Sequence, residues 1–137
     1  MKKFQIIFTI LPIIVLLIHS CKSIQNQDSF IEQFFYNQRT HYELNDYYGD
    51  KVIIYDENKI FTNTETLYEL DKTSIKVQTN LPLEDSFFRI HDFVLNKDLA
   101  FVALTTSDRL QGIMIFLKRN SKTNKWNIIE VRKKPTR

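Results

Sequence analysis

From Phe87 to Arg132 the chain reads as four apolar runs on very short polar connections, and this spacing constrains the fold more than any other feature. The runs cover residues 87–95, 99–106, 113–117 and 126–132, separated by Asn96-Lys97-Asp98, by the stretch from Ser107 to Gly112, and by the stretch from Ser121 to Lys125. Connections of a few residues join antiparallel neighbours, whereas a parallel pair needs a long crossover. The pattern therefore predicts an antiparallel β-meander. Unbroken apolar runs at 99–104 and 113–117 predict burial on both faces.

Ahead of the meander, Ser29-Phe30-Ile31-Glu32 has the spacing of a capping box. Ile31, Phe34, Phe35, Gln38 and Tyr42 follow at helical intervals, which predicts one aromatic-faced helix from Ser29 to about Thr40 or beyond. Gly49-Asp50 ends it. Val52-Ile53-Ile54-Tyr55 predicts a strand, Asp56-Glu57-Asn58 a turn, and Ile60-Phe61-Thr62 a second short strand. Asn63-Thr64-Glu65 is placed to cap a brief helix through Leu67, Tyr68 and Leu70, and residues 74–79 alternate as an edge strand does. The expected fold class is α+β: an N-terminal helix packed on a curved antiparallel meander, cone-like, as one domain over residues 29–132 with a basic tail at 133–137.

The first 28 residues belong to a different problem. Met1-Lys2-Lys3 is a positive start, Phe4 to Ile18 is apolar, and Ser20 is the small residue before a cut, the layout of a secretory signal over 1–20. The apolar stretch falls short of the roughly 20 residues a membrane-spanning helix needs, and Pro12 interrupts it. Cys21, the single cysteine, stands at the cut in Leu17-Ile18-His19-Ser20-Cys21. This run resembles the lipobox of bacterial lipoproteins. The resemblance implies lipidation of Cys21, residues 21–28 as a lipidated tether, and an outer-membrane anchor facing the periplasm.

Composition excludes several chemistries. With only Gly49 and Gly112, neither a phosphate-cradling P-loop nor a dinucleotide loop can be built. One cysteine leaves no disulfide and no cysteine-ligated zinc, and His41 and His91 lack a second histidine at ligand spacing. No metal and no cofactor are expected. Without Lys2 and Lys3 the chain has 17 basic and 16 acidic side chains, but residues 118–137 hold eight basic groups against Glu130 alone. A basic end of this kind meets anionic lipid headgroups in an envelope protein, not nucleic acid. It also reads as a solvated last hairpin with a basic tail.

The order of elements is similar to the nuclear-transport-factor-two-like fold, the cone of ketosteroid isomerases and polyketide cyclases. The segments carrying the likeness are Tyr48 through Asp56 with Thr64-Glu65-Thr66-Leu67-Tyr68, and Asp98 through Val102 on to Gly112, Phe116-Leu117-Lys118 and Lys125-Trp126-Asn127-Ile128. The resemblance implies that Asp56, at a strand end, matches the position of a proton-abstracting base. Such a base needs an enolate stabiliser. Residues 113–117 offer no acid for it, and Tyr36 or Tyr42 on the helix is a candidate to substitute, in a register the sequence does not fix. An aspartate after a strand also simply forms turns. If the cone is open, Phe34, Phe35, Phe88 and Phe116 are candidates to line a cavity for an apolar ligand. Alternation puts His91 and Asp92 on opposite faces, so they do not pair; with Phe88 and Ile90 inward His91 points outward beside Arg89 and Phe93, and the reverse register is equally allowed. His41 is read as a helix-end cation, and Trp126 as a core anchor.

The expected function is a lipid-anchored, non-enzymatic envelope module binding a small ligand or an envelope protein. The alternatives are a periplasmic immunity or inhibitor protein, or an isomerase-like or cyclase-like enzyme using Asp56.

Overall fold

The computed structural model describes residues 26–135. Cys21, the signal segment and most of the tether lie outside them. The chain divides into two units after Ile31. Residues 26–31, the described part of the first, are helical throughout. The helix is therefore already running when it reaches Ser29, which does not cap it. Everything below concerns the second unit, Glu32–Arg137.

The fold class is α+β, with two helices and one curled seven-stranded mixed sheet. The expected single helix is two: α1 covers residues 26–35 and α2 covers Gln38–Tyr48. Asn37 makes the break. Its backbone is extended and its side-chain oxygen accepts from the Arg39 amide at 2.9 Å, so it serves as the N-cap of α2. The break rotates the buried stripe. Thr40, His41 and Leu44 face the sheet, while Tyr36 and Tyr42 are exposed. Gly49 closes α2 at φ +75°, its amide bonded to the Asn45 carbonyl at 2.7 Å.

The strands are β1 (Lys51–Tyr55), β2 (Thr66–Leu70), β3 (Thr73–Gln78), β4 (Phe88–Leu95), β5 (Leu99–Thr106), β6 (Gln111–Arg119) and β7 (Trp126–Pro135). Their order is β2-β3-β1-β4-β5-β6-β7. The meander β4 to β7 is antiparallel throughout, but β1 pairs in parallel with both β3 and β4. An antiparallel-only sheet is thus corrected. The physical cause is the segment expected to be helical. Thr66–Leu70 alternates in burial and pairs with β3 as a hairpin, so the chain returns alongside β1 in its own direction. That hairpin makes β2 the edge and β3 an interior strand. Residues 60–62, expected as a strand, form a loop.

One sheet face carries the core. Val52, Ile54, Ile75, Val77, Phe88, Val102, Ile113, Ile115 and Leu117 are essentially inaccessible there. Phe34, Phe35 and Phe61 cover it, with Phe35 stacked on Tyr68 of β2 at 4.5 Å and edge-on to Phe61 at 5.3 Å. The opposite face is half-open, because Phe101, Met114 and Phe116 keep partial exposure. Burial on both faces at 99–104 and 113–117 therefore holds for one face only. Trp126 is 7% exposed, and its amide donates to the Gln33 side chain at 3.0 Å. β7 runs through Pro135, so Lys133 and Lys134 are strand residues and not tail.

A β-bulge between Ile90 and Asp92 corrects the expected alternation in β4. His91 is the extra residue. Beyond it Asp92 lies opposite Ala103 and Phe93 opposite Val102. Phe93 thus turns to the core face, where its ring meets Phe61 at 5.2 Å.

Candidate functional site

Asp56 is fully buried, and its carboxylate is a staple for the following loop. Oδ1 accepts from the Ile60 amide at 2.7 Å, and Oδ2 accepts from Phe61 at 2.7 Å and Thr62 at 3.0 Å. The Lys59 amide donates to the Asp56 carbonyl at 3.1 Å, with Lys59 itself at φ +54°. Three amides take three of the carboxylate's four lone-pair positions, both of those on Oδ2 among them. Neither Tyr36 nor Tyr42 faces it, since both are exposed.

His41 is not a surface cation at a helix end. It lies in the first half of α2, 2% exposed, with Nε2 donating to the Phe35 carbonyl at 2.7 Å and Nδ1 2.7 Å from the Thr73 hydroxyl. Burial lowers its pKa below the ordinary histidine value, against opposing pulls from the Phe35 carbonyl and the Asp71 charge. It pins the end of α1 and the start of β3 to α2. The sequence signal was its spacing within α2, where His41 stands three residues before Leu44.

Of the aromatic candidates, Phe34, Phe35 and Phe88 are completely buried and engaged with other rings. They fill the space beneath the sheet. Phe116 lies on the opposite face, 5.0 Å from Phe101 and beneath Arg132 at 5.4 Å.

That opposite face holds an open groove of about 820 Å³. Its geometry follows from the register. Tyr55, Arg89, Thr105, Gly112 and Lys134 form one transverse row, each opposite the next across five neighbouring strands. The next row is Asp92, Ala103, Met114 and Arg132. The small residues Thr105, Gly112 and Ala103 lie between larger neighbours, so they leave a hollow. Exposed His91, lifted out by the bulge, lines its rim together with Glu57 and Asp92. The β5–β6 turn closes one end. There the Asp108 carboxylate accepts from the Thr106 hydroxyl at 2.5 Å and the Leu110 amide at 2.9 Å, bonds that hold its pKa below the usual carboxylate value. Arg109 projects from this turn at φ +59° and also lines the groove.

Arg89 is held between aromatic rings, its guanidinium carbon 5.3 Å from the Tyr55 centroid and 5.0 Å from that of Phe87. Its Nε is buried without a hydrogen-bond partner. Among the described residues no group of three or more side chains is arranged to hold a metal ion. No helix among them is long and apolar enough to cross a membrane. No family model, curated protein or solved structure matches the chain.

Proposed function

We propose that this protein is a non-enzymatic binding module of the cell envelope, held at a bacterial outer membrane through a lipidated Cys21, and that the groove takes a small ligand. The observation that carries the reading is the hollow floor at Thr105, Gly112 and Ala103, walled by an aromatic-clamped arginine. Asp56, the acid nearest to a catalytic position, spends its carboxylate on loop amides. The cone-like, nuclear-transport-factor-two-like form belongs to the same proposal. It is supported by the curled, helix-covered sheet, and opposed at Thr64–Tyr68, where β2 stands in place of a helix.

A thermal-shift screen of small amphiphiles and polar metabolites on the full chain tests it, with Thr105→Trp as the blocked control. Thr105 is half-exposed on the groove floor, so an indole there fills the hollow. A ligand at a hundred times its Kd should add about 2.7 kcal/mol to the stability of the parent and nothing to the variant. Ligands that shift both proteins equally, or turnover that is lost in Asp56→Asn, would reject the reading.

A protein-binding alternative has one observation in its favour. Leu83 is 100% exposed, with Leu81 also exposed in the same loop. The Ser107 hydroxyl donates to the Asp85 carbonyl and ties this loop to the β5–β6 turn, where Leu110 is exposed.

A further inference from the structure

The geometry points to the groove as a site for an amphiphile with a single anionic head, a carboxylate or a phosphate monoester, and this inference rests on the binding-module reading above. The head sits over Thr105 and Gly112 between Arg89 and Lys134, and the apolar body lies along Ala103, Met114 and Phe101.

The first argument is the pairing of the cations. Where a basic side chain of β7 has an acid within reach, it takes it. Arg132 binds Glu130 at 2.6 Å, and Lys133 binds Glu43 at 3.0 Å and Asp46 at 2.8 Å. The side chains of Arg89 and Lys134 make no hydrogen bond or ion pair among the described residues, yet both line the groove. They stand in one row on either side of Thr105 and Gly112. Three strand spacings put their Cα atoms roughly 14 Å apart, a span suited to two long side chains with a head group between.

The second argument is the position of Arg89. The rings of Tyr55 and Phe87 fix the guanidinium in advance, so little side-chain entropy is lost when it takes a ligand. Its buried, unpartnered Nε is a cost that the fold bears. Arg109 adds a third cation from the turn, on a left-handed backbone that favours Gly or Asn.

The third argument is the polarity of the two rows. The row of Arg89, Thr105, Gly112 and Lys134 carries a cation on either side of its small centre, whereas the next row has Ala103 and Met114 at its centre between Asp92 and the Glu130-paired Arg132, with Phe101 beyond. A ligand charged at one end and apolar at the other matches both. Asp92, on the same face of β4, and Glu57, past the end of β1, repel additional negative charge, so a polyanion does not fit.

Calorimetric titration of the full chain with monomeric dodecanoate, dodecyltrimethylammonium, dodecanol and tripolyphosphate tests the inference. Dodecanoate should bind one to one, and tripolyphosphate and the cationic amphiphile at least tenfold more weakly. Arg89→Gln and Lys134→Gln should each weaken dodecanoate about tenfold. Lys134 is exposed on an edge strand, so its variant keeps the parental melting temperature and separates lost binding from lost fold. Vesicles containing phosphatidic acid, whose head is a phosphate monoester, distinguish the source of the head group. Heat with vesicles that Lys134→Gln removes assigns it to a bilayer lipid, and heat with monomers alone assigns it to a free amphiphile. Dodecanol or the cationic amphiphile binding as tightly as dodecanoate, blocked by Thr105→Trp and indifferent to Lys134→Gln, would overturn the anionic head and leave the binding module standing. No binding by any of the four overturns both.

Discussion

Asp56 shows how one side chain can satisfy two readings of a sequence and only one geometry. A carboxylate at a strand end fits a base facing a cavity or an acceptor folded back on its own loop, and the three amides at 2.7, 2.7 and 3.0 Å are the second. Hydrogen bonds from backbone amides to a carboxylate are stronger than neutral ones, and Phe61, one of the donors, is buried. Asp56→Ala should therefore destabilise the protein by about 3 kcal/mol or more, and Asp56→Asn by about 1–2 kcal/mol, because its NH₂ must face a donor. Urea denaturation checks both, and an unchanged midpoint in Asp56→Ala would reject the staple. His41 makes a prediction about pH. Its folded pKa lies below its unfolded value of about 6.5, so between the two the unfolded chain holds more protons and stability rises with pH. The contribution is full above pH 6.5 and is lost as pH falls through the folded pKa. Melting temperatures measured from pH 7.5 to 5 should decline in the parent and decline less in His41→Asn. Equal slopes would show that His41 does not couple folding to pH.

At the scale of elements, what was legible in the sequence was what local pattern encodes. β1 and the four meander strands could be read because runs and turns sit next to each other in the chain. The exchange of a helix for β2 could not, since Leu67, Tyr68 and Leu70 suit either period, and pairing with β3 decides between them. The α1–α2 break had a signal in Asn37, which is a strong N-cap residue. The groove was hidden for a further reason: its rows join residues from five strands, and the bulge that sets the phase of β4 has no sequence signature. That bulge carries its own prediction. Ile90 faces Leu104, Asp92 faces Ala103 and Phe93 faces Val102, so deleting His91 leaves a continuous ladder with every side chain on its present face. The deletion should keep a cooperative melt within about 1–2 kcal/mol of the parent, while flattening the local twist and weakening the groove. Deleting Val102 instead reverses the faces of the rest of β5 and should abolish folding. If the His91 deletion unfolds as Val102 does, the bulge is not where the register places it.

For the whole molecule, the question is how a domain with a half-open charged face comes to stand near its ligand. The basic stretch of β7 is tied down at Lys133. Lys133 is tied to Glu43 and Asp46 on α2 and lies 5.5 Å from the Tyr47 ring centre, so β7 is fixed along its basic stretch. On the proposed reading, attachment to a membrane falls to the N-terminus. Its apolar run from Phe4 to Ile18 is too short to span a bilayer unaided, and a single acyl chain gives only reversible binding, whereas a diacyl group with a further amide-linked chain holds firmly. Lipidation needs the thiol of Cys21, the only one in the chain. A serine there cannot form the thioether, so Cys21→Ser should abolish labelling by a palmitate analogue in cells and shift the protein out of the outer-membrane fraction. The melting temperature of the folded unit should stay unchanged, because Cys21 lies outside that unit, which begins at Glu32. Labelling that persists in Cys21→Ser would reject the anchor, and with it the envelope setting proposed for the groove.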